Sequence, residues 1–262
     1  MDIYRKDMYL GGWFSFNCTK EDWLNFYAEK MFEAFFGQQY RFKFGNPFIN
    51  EELLLTRNLP NNSLKNKKVL VVGGGPSSEL LTDNIYDSYD SVITCNHFYK
   101  NSYLKNKKAS IILLGDEVDL HDEVLLKYIS KNNPAIGFEH SGSRNHHIFK
   151  NFLHNNNRCF LFLTRYFSRL GYVARGCVLA RLLGAQKVDF IGMDGFSNNS
   201  HYFENNKQPP PFNNSDKFQK QAKIFFNYMI RDLGTKNFNN LGKNYEGSIY
   251  HGILEEVKNE TN

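Results

Sequence analysis

The stretch Lys67–Ser77, which reads KKVLVVGGGPS, decides the fold. Positions 69–72 are apolar and include three valines, and a short β-branched run of this kind is typical of a strand buried in a parallel sheet. The three glycines that follow allow a tight turn and a close approach to a ligand. Pro76 suits the first turn of a helix, whose free N–H groups attract an anion. Strand, glycine turn and helix together predict a nucleotide site, and a plain tight turn is the alternative interpretation.

Length, charge and cysteine content bound the class of protein. The 262 residues are enough for one domain with its own core plus a small appendage. The net charge of +5 suits an anionic ligand but is weaker than the basic stripe of a dedicated nucleic-acid binder. The four cysteines form no C-x-x-C pair, which favours free thiols in a reducing compartment. Because no signal peptide and no run of about 18 apolar residues is present, the sequence predicts a cytoplasmic protein without a transmembrane segment.

Residues 1–66 differ in composition from the rest of the chain. They contain both tryptophans, and residues 20–36 repeat apolar side chains at spacings of three and four, which predicts an amphipathic helix. Residues 58–66 are rich in asparagine and are typical of a linker. The sequence therefore predicts a small, aromatic-rich N-terminal helical appendage with its linker at 1–66, and a Rossmann-like catalytic domain at 67–262.

From residue 67 onwards, short apolar runs alternate with helical patterns. The predicted strands are 68–72, 91–95, 109–114, 134–138, 159–163 and 187–192, and the predicted helices are 77–82, 120–131, 144–154, 171–184 and 215–232. This alternation predicts an α/β fold, a single modified Rossmann-like domain with a parallel, doubly wound sheet. Ligands of such sheets bind beyond the carboxyl ends of the strands, near the switch point. The residues that follow each strand are therefore the candidates for function.

Two candidates follow the second and third predicted strands. Asn96 carries an amide that can hold a base or a sugar hydroxyl. Asp116 follows the third strand and begins an acidic run with Glu117 and Asp119. Carboxylates this close can hold a divalent ion, but acidic residues at a helix start are also favoured by the helix dipole alone. We expect Asp116 to be the member of this run that binds a ligand.

Arg175 and Gly176 lie near the start of the predicted helix at 171–184. A cation is disfavoured near a helix N-terminus unless an anion is close by. Arg175 therefore indicates a phosphate or carboxylate ligand, with an ordinary surface arginine as the alternative.

The densest group of reactive side chains follows the strand at 187–192. Asp194, His201 and Tyr202 lie in a long polar loop that is typical of an active-site lid, although disorder without function would give a similar pattern. An imidazole can take a proton from a hydroxyl near neutral pH, and a phenol can donate a hydrogen bond to a leaving phosphate. These three residues are the predicted catalytic group.

Three blocks of sequence, taken in order, resemble the bacterial sialyltransferases of the Campylobacter lipooligosaccharide type (glycosyltransferase family 42). They also resemble the related Rossmann-like family of hydroxymethylpterin pyrophosphokinase-like proteins. The blocks are VLVVGGGPS at 69–77, VITCNHFY at 92–99 and RGCVLARLLGAQKVDFIGMDGF at 175–196. The segment FNNLGKNYEGSIYHGI at 238–253 is similar to the last strand of the family, so the resemblance covers about 67–253.

The resemblance implies a nucleotide-sugar glycosyltransferase that needs no metal, with Tyr202 assisting the departure of the donor phosphate. Gly74 stands where the sialyltransferases have asparagine, and no histidine lies between residues 203 and 250, where their base is expected. His201 is the candidate substitute for that base. The predicted nucleotide- and donor-binding residues follow from their positions in these sequence blocks, after the predicted strands or at the start of a predicted helix. They are Gly73, Gly74, Gly75, Pro76, Ser77, Asn96, Asp116, Arg175 and Gly176.

The leading functional hypothesis is metal-independent transfer of a sugar, which includes a sialic acid-like sugar, from a nucleotide-sugar donor to a hydroxyl acceptor. A CMP-sugar is one candidate donor, a glycan is the expected acceptor and a modified nucleic acid a weaker one, and no other cofactor is expected. The first alternative is a Mg²⁺-dependent pyrophosphoryl or nucleotidyl transferase, with the metal held by Asp116, Glu117 and Asp119. A non-catalytic nucleotide-binding module is the second, and a homo-oligomer is compatible with either.

Overall fold

The computed structural model describes residues 63–115, 117–139, 159–162, 170–195, 215–235 and 237–261. The predicted appendage over 1–62, including its helix at 20–36, lies outside these residues, as does the predicted helix at 144–154. Within the described parts of the chain, no helix is both long enough and apolar enough to cross a membrane.

Seven strands of the described residues form one parallel sheet. They are β1 (Lys68–Val72), β2 (Ser91–Cys95), β3 (Ile111–Leu113), β4 (Ala135–Glu139), β5 (Cys159–Phe162), β6 (Lys187–Ile191) and β7 (Phe238–Asn240). Their order across the sheet is β5-β4-β3-β2-β1-β6-β7, and every neighbouring pair is parallel. The predicted parallel α/β fold is confirmed at this level. The alternation of runs did not predict β7, which the resemblance alone indicated.

Five α-helices lie in the described residues, together with shorter helical turns. The helices are α1 (Asp83–Tyr86), α2 (Glu123–Asn132), α3 (Tyr172–Leu182), α4 (Ser215–Asn227) and α5 (Ile253–Thr261). Turns of 3₁₀-helix cover Pro76–Leu80, Asn96–Lys100 and Leu104–Asn106, and α4 continues as a π-helical segment at Tyr228–Asp232. The predicted helix at 77–82 is therefore a five-residue 3₁₀-helix, and the predicted helix at 215–232 changes type after residue 227.

Side chains of the strands alternate between two apolar cores, one on each face of the sheet. Val69 and Val71 of β1 lie in a core with residues of α3, α4 and α5. Leu70 and Val72 lie in the opposite core, with residues of α2 and of the 3₁₀-helix after β2. Because helical segments cover both faces, the sheet is doubly wound. From β1 the chain continues through β2, β3, β4 and β5 towards one edge of the sheet, and β6 and β7 then lie on the other side of β1. The switch point between β1 and β6 is where such a sheet opens a crevice for a ligand.

The end of the predicted linker packs on this domain. Leu64 is buried in the core with α3, and its N–H donates to the carbonyl of Leu183 at 3.0 Å. Residues 63–66 therefore belong structurally to the start of the sheet domain.

Candidate functional site

A cavity of about 310 Å³ opens at the carboxyl ends of β1, β2, β3 and β6. Its walls include Gly74 after β1, Asn96 after β2, Glu117 after β3 and Asp194 after β6. The first residues of α3 close the remaining side. This volume is near the lower end of the range for small-molecule sites, about 300–1,000 Å³. The cavity lies at the predicted switch point of the sheet.

The glycine turn runs directly against the turn that follows β6. The N–H of Gly73 donates to the carbonyl of Ile191 at 2.9 Å, and the N–H of Gly75 donates to the carbonyl of Gly192 at 3.0 Å. A Cβ at Gly73 would collide with the Gly192 carbonyl oxygen, so packing within the chain already requires glycine there. Gly74 lines the cavity, and its N–H has no hydrogen-bond partner among the described residues.

The helix after the glycine turn differs from the anion site that the sequence suggests. It is only five residues long, and the N–H of Ser77 donates to Oδ2 of Asp194 at 2.8 Å. A carboxylate of the chain itself therefore takes the place that a ligand's phosphate would occupy. The buried Ser77 Oγ also accepts a hydrogen bond from the N–H of Gly192 at 3.0 Å. Pro76 and Ser77 are not among the lining residues of the cavity, and Ser77 instead holds the β6 turn in place.

Asp194 combines deep burial with an unpartnered oxygen. The residue is only 2% exposed, and its Oδ1 has no hydrogen-bond partner among the described residues. Burial raises the pKa of the Asp194 carboxyl, and the hydrogen bonds from Ser77 offset this effect only in part. An ionised carboxylate that is buried with one oxygen unpaired is costly, and such groups are typical of functional sites.

The loop after β7 completes the wall beside Asp194. The Asp194 carbonyl accepts hydrogen bonds from the N–H of Ile249 at 2.9 Å and from Oγ of Ser248 at 3.2 Å. These bonds place Tyr250 in the cavity wall. Burial, and next the charge of Asp194, raise the pKa of the Tyr250 phenol, so it acts as a hydrogen-bond donor at neutral pH. Tyr250 was not among the predicted site residues, although it lies in the segment that resembles the final strand of the family.

Asn96 lines the cavity, but both ends of its side chain already contact the segment after β3. Its Oδ1 accepts a hydrogen bond from the N–H of Gly115 at 3.0 Å, and its Nδ2 donates to Oε1 of Glu117. Glu117 is exposed and lines the cavity next to it. From the sequence, Glu117 was predicted only as a candidate metal ligand, and Asp116 was predicted to be the acidic residue that binds a ligand. Asp116 lies outside the described residues.

Two other acids near Glu117 have local structural roles. Asp119 accepts a hydrogen bond from the N–H of His121 at 2.9 Å. Asp122 is the N-cap of α2 and accepts from the N–H of Val124 at 2.8 Å. The preference of a helix start for acidic residues thus accounts for Asp122. Within the described ranges, no three His, Cys, Asp or Glu side chains are grouped so that they could hold a metal ion.

The start of α3 provides the positive side of the cavity. Gly171 precedes the helix with a φ of 80°, and as a glycine it has no side chain that could cap the first turn. The first N–H groups of an uncapped helix are natural partners for an anion. Arg175 also lines the cavity, with its guanidinium 5.3 Å from the centre of the Tyr172 ring. Gly176 has a different position, because a Cβ there would lie 2.9 Å from Cγ1 of Val71, in the packing between helix and sheet.

The structure thus brings five of the predicted residues to one cavity. The cavity residues are Gly74, Gly75, Asn96, Arg175 and Asp194; Gly73, Pro76, Ser77 and Gly176 support it from outside its lining; Asp116, His201 and Tyr202 lie outside the described residues. No protein-family model matches the chain, and no curated protein is significantly similar to it. The family resemblance therefore stays a prediction based on the sequence blocks.

Proposed function

We propose that this chain is a glycosyltransferase that binds a nucleotide-sugar donor in the cavity and transfers the sugar to a hydroxyl group of an acceptor. One observation carries the proposal: Arg175 and the start of α3 line the same cavity as Asp194, a buried carboxylate whose Oδ1 has no hydrogen-bond partner among the described residues. Transfer of a sugar from a phosphate to a hydroxyl needs both positive groups and a basic oxygen in one cavity.

The donor phosphate lies at the positive wall. As the bond between the anomeric carbon and the phosphate oxygen breaks, negative charge grows on that oxygen. The Arg175 guanidinium and the N–H groups at the start of α3 stabilise this charge without rearrangement. The chain thus has its own groups for the charge compensation that a divalent ion gives in many phosphoryl enzymes.

The acceptor hydroxyl lies at Asp194. Its O–H donates to the unpartnered Oδ1, which orients the acceptor oxygen towards the anomeric carbon. The raised pKa of Asp194 makes this carboxylate a stronger base than one in water. The sequence also predicts His201 and Tyr202 for this step: Asp194 takes the hydroxyl proton as the new bond forms and passes it to the imidazole of His201, and the phenol of Tyr202 donates to the departing phosphate.

A thermal-shift screen with CMP-, UDP-, GDP- and ADP-sugars tests the proposal. At about 100 times Kd, a ligand adds about 2.7 kcal/mol of stability, which for a chain of this size raises Tm by about 5 °C or more. The best donor is then incubated with hydroxyl acceptors, with and without EDTA, and the released nucleotide is measured. A chain that none of the four donor classes stabilises does not have this function.

The same experiment distinguishes sugar transfer from the principal alternative function. Activity that EDTA abolishes favours Mg²⁺-dependent pyrophosphoryl or nucleotidyl transfer, and Glu117 is then the predicted metal ligand that lines the cavity. Activity that survives EDTA favours sugar transfer. The variant His201→Ala should then lose turnover while it keeps nucleotide affinity, and an equal loss of both would argue against a catalytic role for His201.

A further inference from the structure

A hydrogen-bonded pair of side chains lies in the cavity wall where β2 and β3 end. The amide of Asn96 donates from Nδ2 to Oε1 of Glu117 and accepts at Oδ1 from the N–H of Gly115, 3.0 Å away. Neighbouring strands of a sheet are about 4.8 Å apart, so the pair spans the distance between β2 and β3 in the wall of the cavity. The bonds fix the carboxylate of Glu117 relative to the sheet.

Asn96 is committed to this support. It has a φ of 51°, in the left-handed region that asparagine tolerates better than most residues, and it is only 8% exposed. Its oxygen and one of its two Nδ2 hydrogens already have partners on the segment after β3. One Nδ2 hydrogen and one lone pair of Oδ1 remain, and the bonds that are made let the side chain position Glu117.

Glu117 is exposed and lies close to the positive wall of the cavity. A Cβ at Gly115 would lie 2.5 Å from Oε2 of Glu117 and 2.8 Å from Cε2 of Tyr172, so these two side chains meet above Gly115. The Arg175 guanidinium lies 5.3 Å from the centre of that same Tyr172 ring. Carboxylate, ring and guanidinium therefore follow one another along the wall, with the acceptor group next to the site proposed for the phosphate.

We propose that Glu117 accepts hydrogen bonds from the two neighbouring hydroxyl groups of the donor's ribose, with Asn96 as its positioning residue. This inference rests on the proposed function and adds the part of the donor that this wall recognises. An ionised carboxylate only accepts hydrogen bonds and has about four lone-pair positions. Asn96 takes one position on Oε1, and the remaining positions match a pair of adjacent O–H donors. In a nucleotide, the ribose carries that pair and is joined directly to the 5′-phosphate.

The selectivity for ribose over 2′-deoxyribose measures this contact. Calorimetry gives Kd for CMP, UMP, GMP and AMP and for the 2′-deoxy form of each, and the ratio is taken for the base that binds most tightly. A hydrogen bond to a charged group corresponds to a preference of about tenfold or more for the ribonucleotide. Glu117→Gln should reduce the ratio to about two, because the amide keeps the shape but loses the charge and one acceptor. Asn96→Ala should reduce it as well, since the carboxylate is then no longer held.

Glu79→Gln is the matched control, because Glu79 is an exposed acid on the 3₁₀-helix after the glycine turn and is not among the lining residues of this cavity. This variant should keep the wild-type ratio. Circular dichroism and Tm confirm that each variant folds, which is expected for Glu117→Gln because Glu117 is exposed.

Three outcomes would overturn the inference. If wild type binds ribo- and deoxyribonucleotides equally well, Glu117 does not recognise the ribose hydroxyl groups, although the protein still binds nucleotides. If the preference requires Mg²⁺ and EDTA removes it, Glu117 holds a cation. If no nucleotide binds, the proposed function and this inference fail together.

Discussion

Replacement of Asp189 by alanine should destabilise the whole site although Asp189 does not line the cavity. Asp189 lies in the middle of β6 and is fully buried. Its two oxygens accept hydrogen bonds from the phenol of Tyr89, from N–H and Nδ2 of Asn239 at 3.2 and 2.9 Å, and from Nζ of Lys187 at 2.9 Å. The alanine variant removes the acceptor and leaves these donors behind.

The expected loss follows from these contacts. Removal of one partner from a buried, hydrogen-bonded charge pair costs about 3–5 kcal/mol. The Lys187 side chain is 34% exposed and water can solvate its ammonium again, which puts the loss near the lower limit, about 3 kcal/mol. Because a domain has only about 5–15 kcal/mol of total stability, this is a large part of it.

The Asp189→Ala substitution should also change the cavity. Asn239 belongs to β7, an edge strand that pairs with β6 at only three positions. The loop after β7 carries Tyr250 into the cavity wall beside Asp194. A loosened β7 should therefore weaken nucleotide binding in addition to the fold.

Urea unfolding at neutral pH, followed by far-UV circular dichroism, measures the effect. Tyr89→Phe is the control: it removes a single hydrogen bond to Asp189 and leaves its other donors in place, so it should cost about 1 kcal/mol. Lys187→Met takes the cation away from a fully buried carboxylate, so it should be clearly more destabilising than this control. The proposed role of Asp189 is refuted if Asp189→Ala loses no more free energy of unfolding than Tyr89→Phe.

Three further substitutions test other parts of the site. Asp194→Asn should lower turnover by about 10²–10⁴-fold with nucleotide affinity retained, as calorimetry and a transfer assay would show. Burial raises the pKa of Asp194 above its ordinary 3.8, so the contribution of its protonated form to stability is complete below 3.8 and is lost as pH rises through the raised value. The unfolding free energy of Asp194→Asn, measured by urea titration from about pH 3 to about pH 8, should therefore improve relative to wild type as pH rises, and the opposite trend would contradict the assignment. Arg175→Gln should weaken binding of a nucleotide about tenfold or more and leave the affinity for the corresponding nucleoside unchanged, whereas an equal loss for both would show that Arg175 does not contact phosphate. Gly192→Ala should cost more than Gly234→Ala in urea unfolding: both glycines have positive φ, 77° and 61°, but only a Cβ at Gly192 meets backbone, 2.5 Å from the Gly73 oxygen. The left-handed conformation accounts for a loss of about 1–2 kcal/mol of unfolding free energy in each variant. Equal losses in the two variants would exclude a close contact between the glycine turn and the turn after β6.

Strand positions in the central part of the sheet were predictable from sequence because these strands are buried on both faces. β1 and β2 have the predicted bounds, since their apolar runs have clear polar or glycine ends. β3 is shorter than the predicted run at 109–114, because residues outside Ile111–Leu113 make only isolated backbone bonds, such as that from the N–H of Ser110 to the Val92 carbonyl. Apolarity marks burial, but it does not show where backbone pairing with the neighbouring strands ends.

Much less of the site was predictable, because its contacts cross between distant segments. Positions after the predicted strands indicated Asn96 and Asp194, and the cation near a helix start indicated Arg175; all three line the cavity. These patterns could not indicate the bond between Ser77 and Asp194, which are 117 positions apart, because this bond exists only if β6 lies next to β1. The role of Asn96 likewise depends on its positive φ, which turns its amide towards the segment after β3.

The glycine turn lies beside the cavity, but most of its backbone contacts are made within the chain itself. Close approach of two backbones needs glycine whether the second backbone belongs to a ligand or to the same chain. Here Gly73 and Gly75 donate to the β6 turn, and the N–H of Ser77 donates to Asp194, so most of the donors expected for a phosphate are already satisfied. Gly74 and the start of α3 line the same cavity and are the donors that we propose for the phosphate. The internal carboxylate thus limits the glycine turn as an anion site, because it occupies the N–H of Ser77, while its own Oδ1 has no hydrogen-bond partner among the described residues.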